Sequence, residues 1–148
     1  MEKVVKFLNK TLLIILLIVP LSIIAINSEL IIGDEIWNFQ NVMKMVNGRK
    51  IYVDCNVIVT PIFYFLGQLF VWIFGSNILG FRIYNIFIFL ILLLSSFYIF
   101  KCLKIEKIKA CIYTFLIFLF VMPYISVGAN YNVLAIAFYL LRNNFIFK

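Results

Sequence analysis

Asp34 and Glu35 are the residues of this chain most able to do chemistry. Only six Asp or Glu occur in 148 residues that are 66% hydrophobic, and these two are adjacent. An acidic pair beside an apolar segment is costly to keep near lipid, so it requires a role. A carboxylate held at a membrane surface can accept a proton from a hydroxyl nucleophile. The same carboxylate at a helix start can accept the orphan amides of the first turn. The roles are compatible, because a capping carboxylate with a fixed rotamer is also a preorganised base. With no His and three Cys, the chain has the means for neither a zinc site nor a His-based nucleophile pair. Cys55 falls in a stretch that reads as a polar loop, while Cys102 and Cys111 flank a lysine cluster expected on the other face of the membrane. No disulfide is therefore expected on the outer side.

The elements that would position the acids follow from composition. Mean hydropathy is +1.12, with 17 Phe and 8 Tyr, more apolar surface than a soluble domain of this length can hide. This predicts an all-α, polytopic membrane helix bundle in the cell membrane. The net charge of +7 comes from short clusters beside apolar runs (Lys3, Lys6, Lys10; Lys101, Lys104, Lys107, Lys109), a pattern that orients spans and implies no nucleic-acid partner. Phe7 to Ile26 reads as an uncleaved first span with a cytoplasmic N-terminus, since no small-x-small cleavage pattern follows it. Pro20 is read as a kink in it. Further spans are expected at 81–100 and 110–127, with a marginal one at 132–147 after Asn130-Tyr131-Asn132, whose apolar run from Val133 to Leu141 is interrupted by Arg142-Asn143-Asn144. Pro61 to Phe74, about 14 residues with Gln68 inside it, is too short to span. If it did cross, the lysines at 101–109 would lie outside, against the positive-inside rule. Residues 27–80 then form one outer loop of a single membrane domain, 1–148, and carry two interfacial amphipathic helices.

The first of these helices is expected over Glu35 to Asn47, capped by Asp34 and ended by Gly48. Ile36, Phe39, Met43 and Val46 would form its apolar face, with Asn38, Asn41 and Lys44 on another. Arg82, Arg49 and Lys50 are, with Lys44, the outer-side cations; each is a candidate for binding a phosphate or for anchoring at the interface. Tyr52 and Asp54 are candidates for lining a pocket, with a turn as the other reading of Asp54.

The order of these features resembles the opening of GT-C type, polyprenyl-phosphate-sugar-dependent glycosyltransferases, a class that includes protein O-mannosyltransferases and aminoarabinose transferases. The matching elements are Asp34-Glu35, then Gly48 and Tyr52-Val53-Asp54, then Thr60-Pro61-Ile62-Phe63-Tyr64, then Phe74-Gly75, then Phe81-Arg82. The likeness covers roughly residues 7–100. It implies that Asp34 is the catalytic acid, that Glu35 is its partner in the signature, and that a sugar passes from a polyprenyl-phosphate donor to an acceptor on the outer face. The site would need a carboxylate on one side and cations near the leaving phosphate on the other.

The chain also departs from that pattern. Val59-Thr60-Pro61 carries a single Pro without a preceding Lys, and where a later acid is expected Gly128-Ala129-Asn130-Tyr131-Asn132 offers only amides. A divalent metal is left open on that ground, as is the donor sugar. Such transferases are much longer, so a truncated member, inactive by itself, is the expectation. The alternative is a non-catalytic membrane scaffold or partner subunit derived from the same fold. A transporter is disfavoured because Ile83 to Phe100 and Cys111 to Met122 contain no ionisable group to relay protons or pair with ions.

Overall fold

The computed structural model describes residues 33–57, 59–125 and 131–146, together with the helical positions 19, 22 and 23. Apart from those three positions, the expected first span lies outside the described residues. Five helices follow Gly33: α1 (Asp34–Val46), α2 (Pro61–Phe74), α3 (Ile78–Cys102), α4 (Lys107–Ile125) and α5 (Tyr131–Ile146). Among the described residues the fold is all-helical, and the one extended pairing is an isolated bridge between Ile51 and Cys55. α3 is the central element. It packs on α2, on α4 and most extensively on α5, while α1 lies on α2.

Local sequence explains where these helices begin and end. α1 stops at Gly48, whose φ of 83° only glycine adopts cheaply. There the Gly48 amide donates to the Met45 carbonyl and the Arg49 amide to the Lys44 carbonyl, both at 3.0 Å, a paired closure of the helix end. Pro61 opens α2 at a position where its missing N–H costs nothing. Asn77 caps α3, its side chain accepting from the Gly80 amide at 3.0 Å. The α3–α4 turn closes as α1 does, but with Lys104 at φ 59° where glycine is usual.

Two expectations about helix ends and faces are corrected. Asp34 is not the cap of α1: Gly33 is, and Asp34 is the first helical residue. The last helix runs from Tyr131 to Ile146, close to the 132–147 expected. Most consequentially, α1 buries its polar stripe. Glu35, Asn38, Asn41, Val42 and Met45 are its buried residues, whereas Ile36, Phe39, Met43 and Val46 are only half-buried. Polar groups tolerate this only when partnered, and the partners come from α2 and α3.

The core joins α1, α2 and the start of α3 through Val42, Met45, Phe63, Tyr64, Val71, Phe81 and Tyr84. The loop between α1 and α2 is pinned over it. Cys55 is 2% exposed among these side chains, with Val57 and Val59 beside it, so the stretch read as a polar loop turns its cysteine inward. Close approach depends on two glycines. A Cβ on Gly67 would lie 2.9 Å from Val42 Cγ2, and one on Gly80 would lie 2.5 Å from the Gly75 carbonyl oxygen. Further along, Phe89, Leu92 and Leu93 of α3 meet Phe118 of α4 and Ala137 of α5.

α3, at 25 residues, is the one described helix long and apolar enough to cross a membrane; α2 is apolar but shorter. Among the described side chains of α4, Ala110, Thr114 and Phe118 are buried, while Ile112, Phe115, Leu116, Leu119 and Phe120 are exposed, the last at 79%.

Gly80→Ala tests the tight α2–α3 corner. The added methyl meets backbone rather than a movable side chain, so a loss of about 1–3 kcal/mol is expected, read as a lower unfolding temperature in detergent. Gly67→Ala, which meets the end of the Val42 side chain, should cost less.

Candidate functional site

Glu35 and Arg82 are 47 residues apart in sequence and form a buried ion pair. Arg82 Nε donates to Glu35 Oε1 at 2.8 Å and Nη2 donates to Oε2 at 3.1 Å, the two-pronged geometry that a guanidinium and a carboxylate favour. Glu35 is 1% exposed and Arg82 6%. Glu35 is in the first turn of α1, where the helix dipole favours an anion. Arg82 is in the second turn of α3, where the dipole disfavours a cation, and Glu35 offsets that.

A polar line continues from this pair along α1. Asn38, one turn on, accepts from the Tyr64 hydroxyl at 3.0 Å. Asn41 follows; its Oδ1 accepts from Lys44 Nζ at 3.3 Å, and its buried Nδ2 has no hydrogen-bond partner among the described residues. Burial pushes the Tyr64 hydroxyl pKa up to about 12, so it remains a donor. Because the folded value is raised, the stability that neutral Tyr64 contributes is present below about pH 10 and is lost as the pH rises toward about 12. Tyr84, from α3, donates to the Phe63 carbonyl at 2.9 Å and ties the start of α2 to the same cluster.

The adjacent acids thus have different surroundings. Glu35 is inside and paired, whereas Asp34 is exposed on the first turn of α1. Of the two, Asp34 is the one a substrate can reach. Arg82, expected as a phosphate ligand or an interfacial anchor, is instead engaged by Glu35. Arg49 and Lys50 are exposed beyond the other end of α1. That helix has 13 residues, and at about 1.5 Å per residue the two cations are separated from Asp34 by roughly 20 Å.

Tyr52 and Asp54 stay with those cations. Asp54 closes a turn, its carboxylate accepting from the Lys50 amide at 2.8 Å while its own amide donates to the Lys50 carbonyl at 2.9 Å. Tyr52, at φ 65°, donates its hydroxyl to the Val59 carbonyl at 2.6 Å. The structure therefore gathers Asp34, Glu35 and Arg82 at one end of α1, and Arg49, Lys50, Tyr52 and Asp54 at the other. Among the described residues no three His, Cys, Asp or Glu side chains gather into a metal-binding group.

Asn38, Asn41, Tyr64 and Tyr84 join the site without having been singled out from sequence. The available signal was the spacing of Glu35, Asn38, Asn41 and Met45, a stripe as regular as the apolar one.

Glu35→Leu and Arg82→Met each remove one partner of the buried pair and are expected to cost about 3–5 kcal/mol, and the combined Glu35→Leu/Arg82→Met variant much less than their sum. Thermal unfolding of the four proteins measures the coupling; additive losses would show that the two residues act independently.

Comparison of the chain with protein families, with characterised proteins and with solved structures finds no match to any of them.

Proposed function

We propose that this chain is a multi-pass membrane protein of the GT-C glycosyltransferase type, with its N-terminus in the cytoplasm and the 27–80 region outside, and that Asp34 is its catalytic base. The observation that carries the reading is the split between the two acids: Glu35 is held by Arg82 from the start of α3, leaving Asp34 exposed beside a rigid pair. The pair fixes the first turn of α1, the element from which Asp34 projects. The apolar length of α3 and the exposed apolar faces of α4 support the membrane setting.

In this reading an acceptor hydroxyl attacks the anomeric carbon of a polyprenyl-phosphate-linked sugar. The bond from that carbon to the phosphate oxygen breaks, the hydroxyl proton passes to the Asp34 carboxylate, and polyprenyl phosphate leaves. Attack on the face opposite the leaving group inverts the anomeric centre. Arg82 acts as a positioning residue through Glu35, not as a phosphate ligand.

A second reading, a non-catalytic scaffold or partner subunit, draws on the same ion pair. Two of the four charged residues that carry the family resemblance hold α1 to α3, and such a pair is as useful to a subunit that only has to keep its shape.

Asp34→Asn separates the two. The first helical position tolerates either side chain, so expression and unfolding temperature should be unchanged, while in a full-length or complemented protein sugar transfer from a polyprenyl-phosphate donor falls by about a hundredfold or more. Retained transfer would remove Asp34 from the chemistry, and absence of transfer by the unaltered full-length or complemented protein across a panel of donors would favour the scaffold.

Topology is tested with thiols. Cys55 is buried, so Asn56→Cys supplies an exposed outer probe. In intact cells an impermeant maleimide should modify the residue introduced at position 56 and spare Cys102; the reverse pattern would invert the orientation.

A further inference from the structure

A groove of about 430 Å³ runs between the end of α1 and the outer face of α2, lined by Val46, Phe65, Gln68, Leu69 and Trp72. Its floor is fixed: Gln68 Nε2 donates to the Met45 carbonyl at 3.2 Å, tying α2 to the last turn of α1. Its walls are apolar and open, with Trp72 74% exposed, Phe65 54% and Leu69 46%. The α2 face beyond it is apolar as well, through Ile62 and Ile73. These residues lie opposite the face that carries Phe63, Tyr64, Gly67 and Val71 into the core.

Exposed cations follow the end of α1 that lines this groove. Val46 is followed within four residues by Arg49 and Lys50, and the Arg49 amide folds back onto the Lys44 carbonyl, so the backbones of three exposed cations converge where α1 ends. The nearby acid, Asp54, accepts the Lys50 amide through one oxygen, which leaves the cluster net positive. An apolar channel beside converging cations is complementary to an amphiphile with an anionic head and a hydrocarbon tail. Trp72 adds an indole of the kind that settles at the boundary between headgroups and hydrocarbon.

We infer that this groove seats an anionic glycerophospholipid of the surrounding bilayer, one acyl chain lying against Phe65, Leu69 and Trp72 and the phosphate at Arg49 and Lys50. The lipid docks α2 and the end of α1 in the interface, at the opposite end of α1 from Asp34. The inference rests on the membrane setting proposed above and is independent of sugar transfer.

Quenching of Trp72 by brominated lipid tests it. The chain has two Trp, so Trp37→Phe leaves Trp72 as the sole indole. The protein is reconstituted in vesicles of phosphatidylcholine and phosphatidylglycerol in which one lipid or the other is brominated, at equal mole fraction and low salt. Brominated phosphatidylglycerol is expected to quench more strongly, by an amount equivalent to about fivefold or greater enrichment beside Trp72, roughly what one engaged basic side chain supplies. The excess should vanish in Arg49→Gln/Lys50→Gln, and in the parent at high salt, while quenching by brominated phosphatidylcholine persists. Equal quenching by the two lipids in a protein that has inserted would overturn the inference, as would an excess that survives the double substitution. Displacement of the brominated lipid by equimolar polyprenyl phosphate would assign the groove to a different occupant. Failure of the chain to insert at all, read as absence of quenching by either lipid, would overturn it together with the membrane reading.

Discussion

The arrangement of α1, α2 and the start of α3 depends on a charged pair that has been taken out of solvent. Desolvating an arginine and a glutamate costs several kcal/mol each, and the cost is offset only when geometry and partners are near ideal. Here the geometry is two-pronged, at 2.8 and 3.1 Å, and both groups are almost fully covered. Such a pair adds little net stability over an apolar replacement, but it discriminates strongly against arrangements in which either charge is alone. It therefore selects one rotation of α1. Turning the helix to bury Ile36, Phe39 and Met43 instead would expose Glu35 and leave Arg82 without its carboxylate.

That rotation explains the rest of the polar interior. Once Glu35 faces α3, Asn38 and Asn41, one and two turns later, must face the same way. The Tyr64 hydroxyl meets Asn38, and Gln68 reaches the Met45 carbonyl. Small residues such as Gly67, Gly80 and Ala137 lie where the helices approach, alongside the buried aromatics Phe63, Tyr64, Phe81 and Tyr84, while Trp72 and Phe120 are exposed.

Charge is also separated along α1. The acids are at its start and the exposed cations beyond its end, each at the terminus where the helix dipole favours it. The consequence is a functional division. One end offers a single reachable carboxylate supported by a rigid pair, and the other offers exposed cations and an apolar groove. A phosphate could not bridge a distance of roughly 20 Å between them, so a group held at 49 and 50 cannot also meet the acid at 34.

Sequence alone determined the helical class, the positions of the helices to within a few residues, the stop at Gly48 and the short length of α2. These are local properties: apolar run length, a proline at a start and a glycine at an end act within a turn or two of where they occur. It also singled out Asp34, Glu35 and Arg82 together, because their order resembled a known opening. Only the tertiary structure decided that Glu35 and Arg82 bond to each other, that Asp34 is left exposed, and that Cys55 turns inward. Periodicity states which residues share a helix face but not which face meets a neighbour. In α1 the two stripes were equally regular, and the choice between them was made by an arginine 47 residues away in sequence.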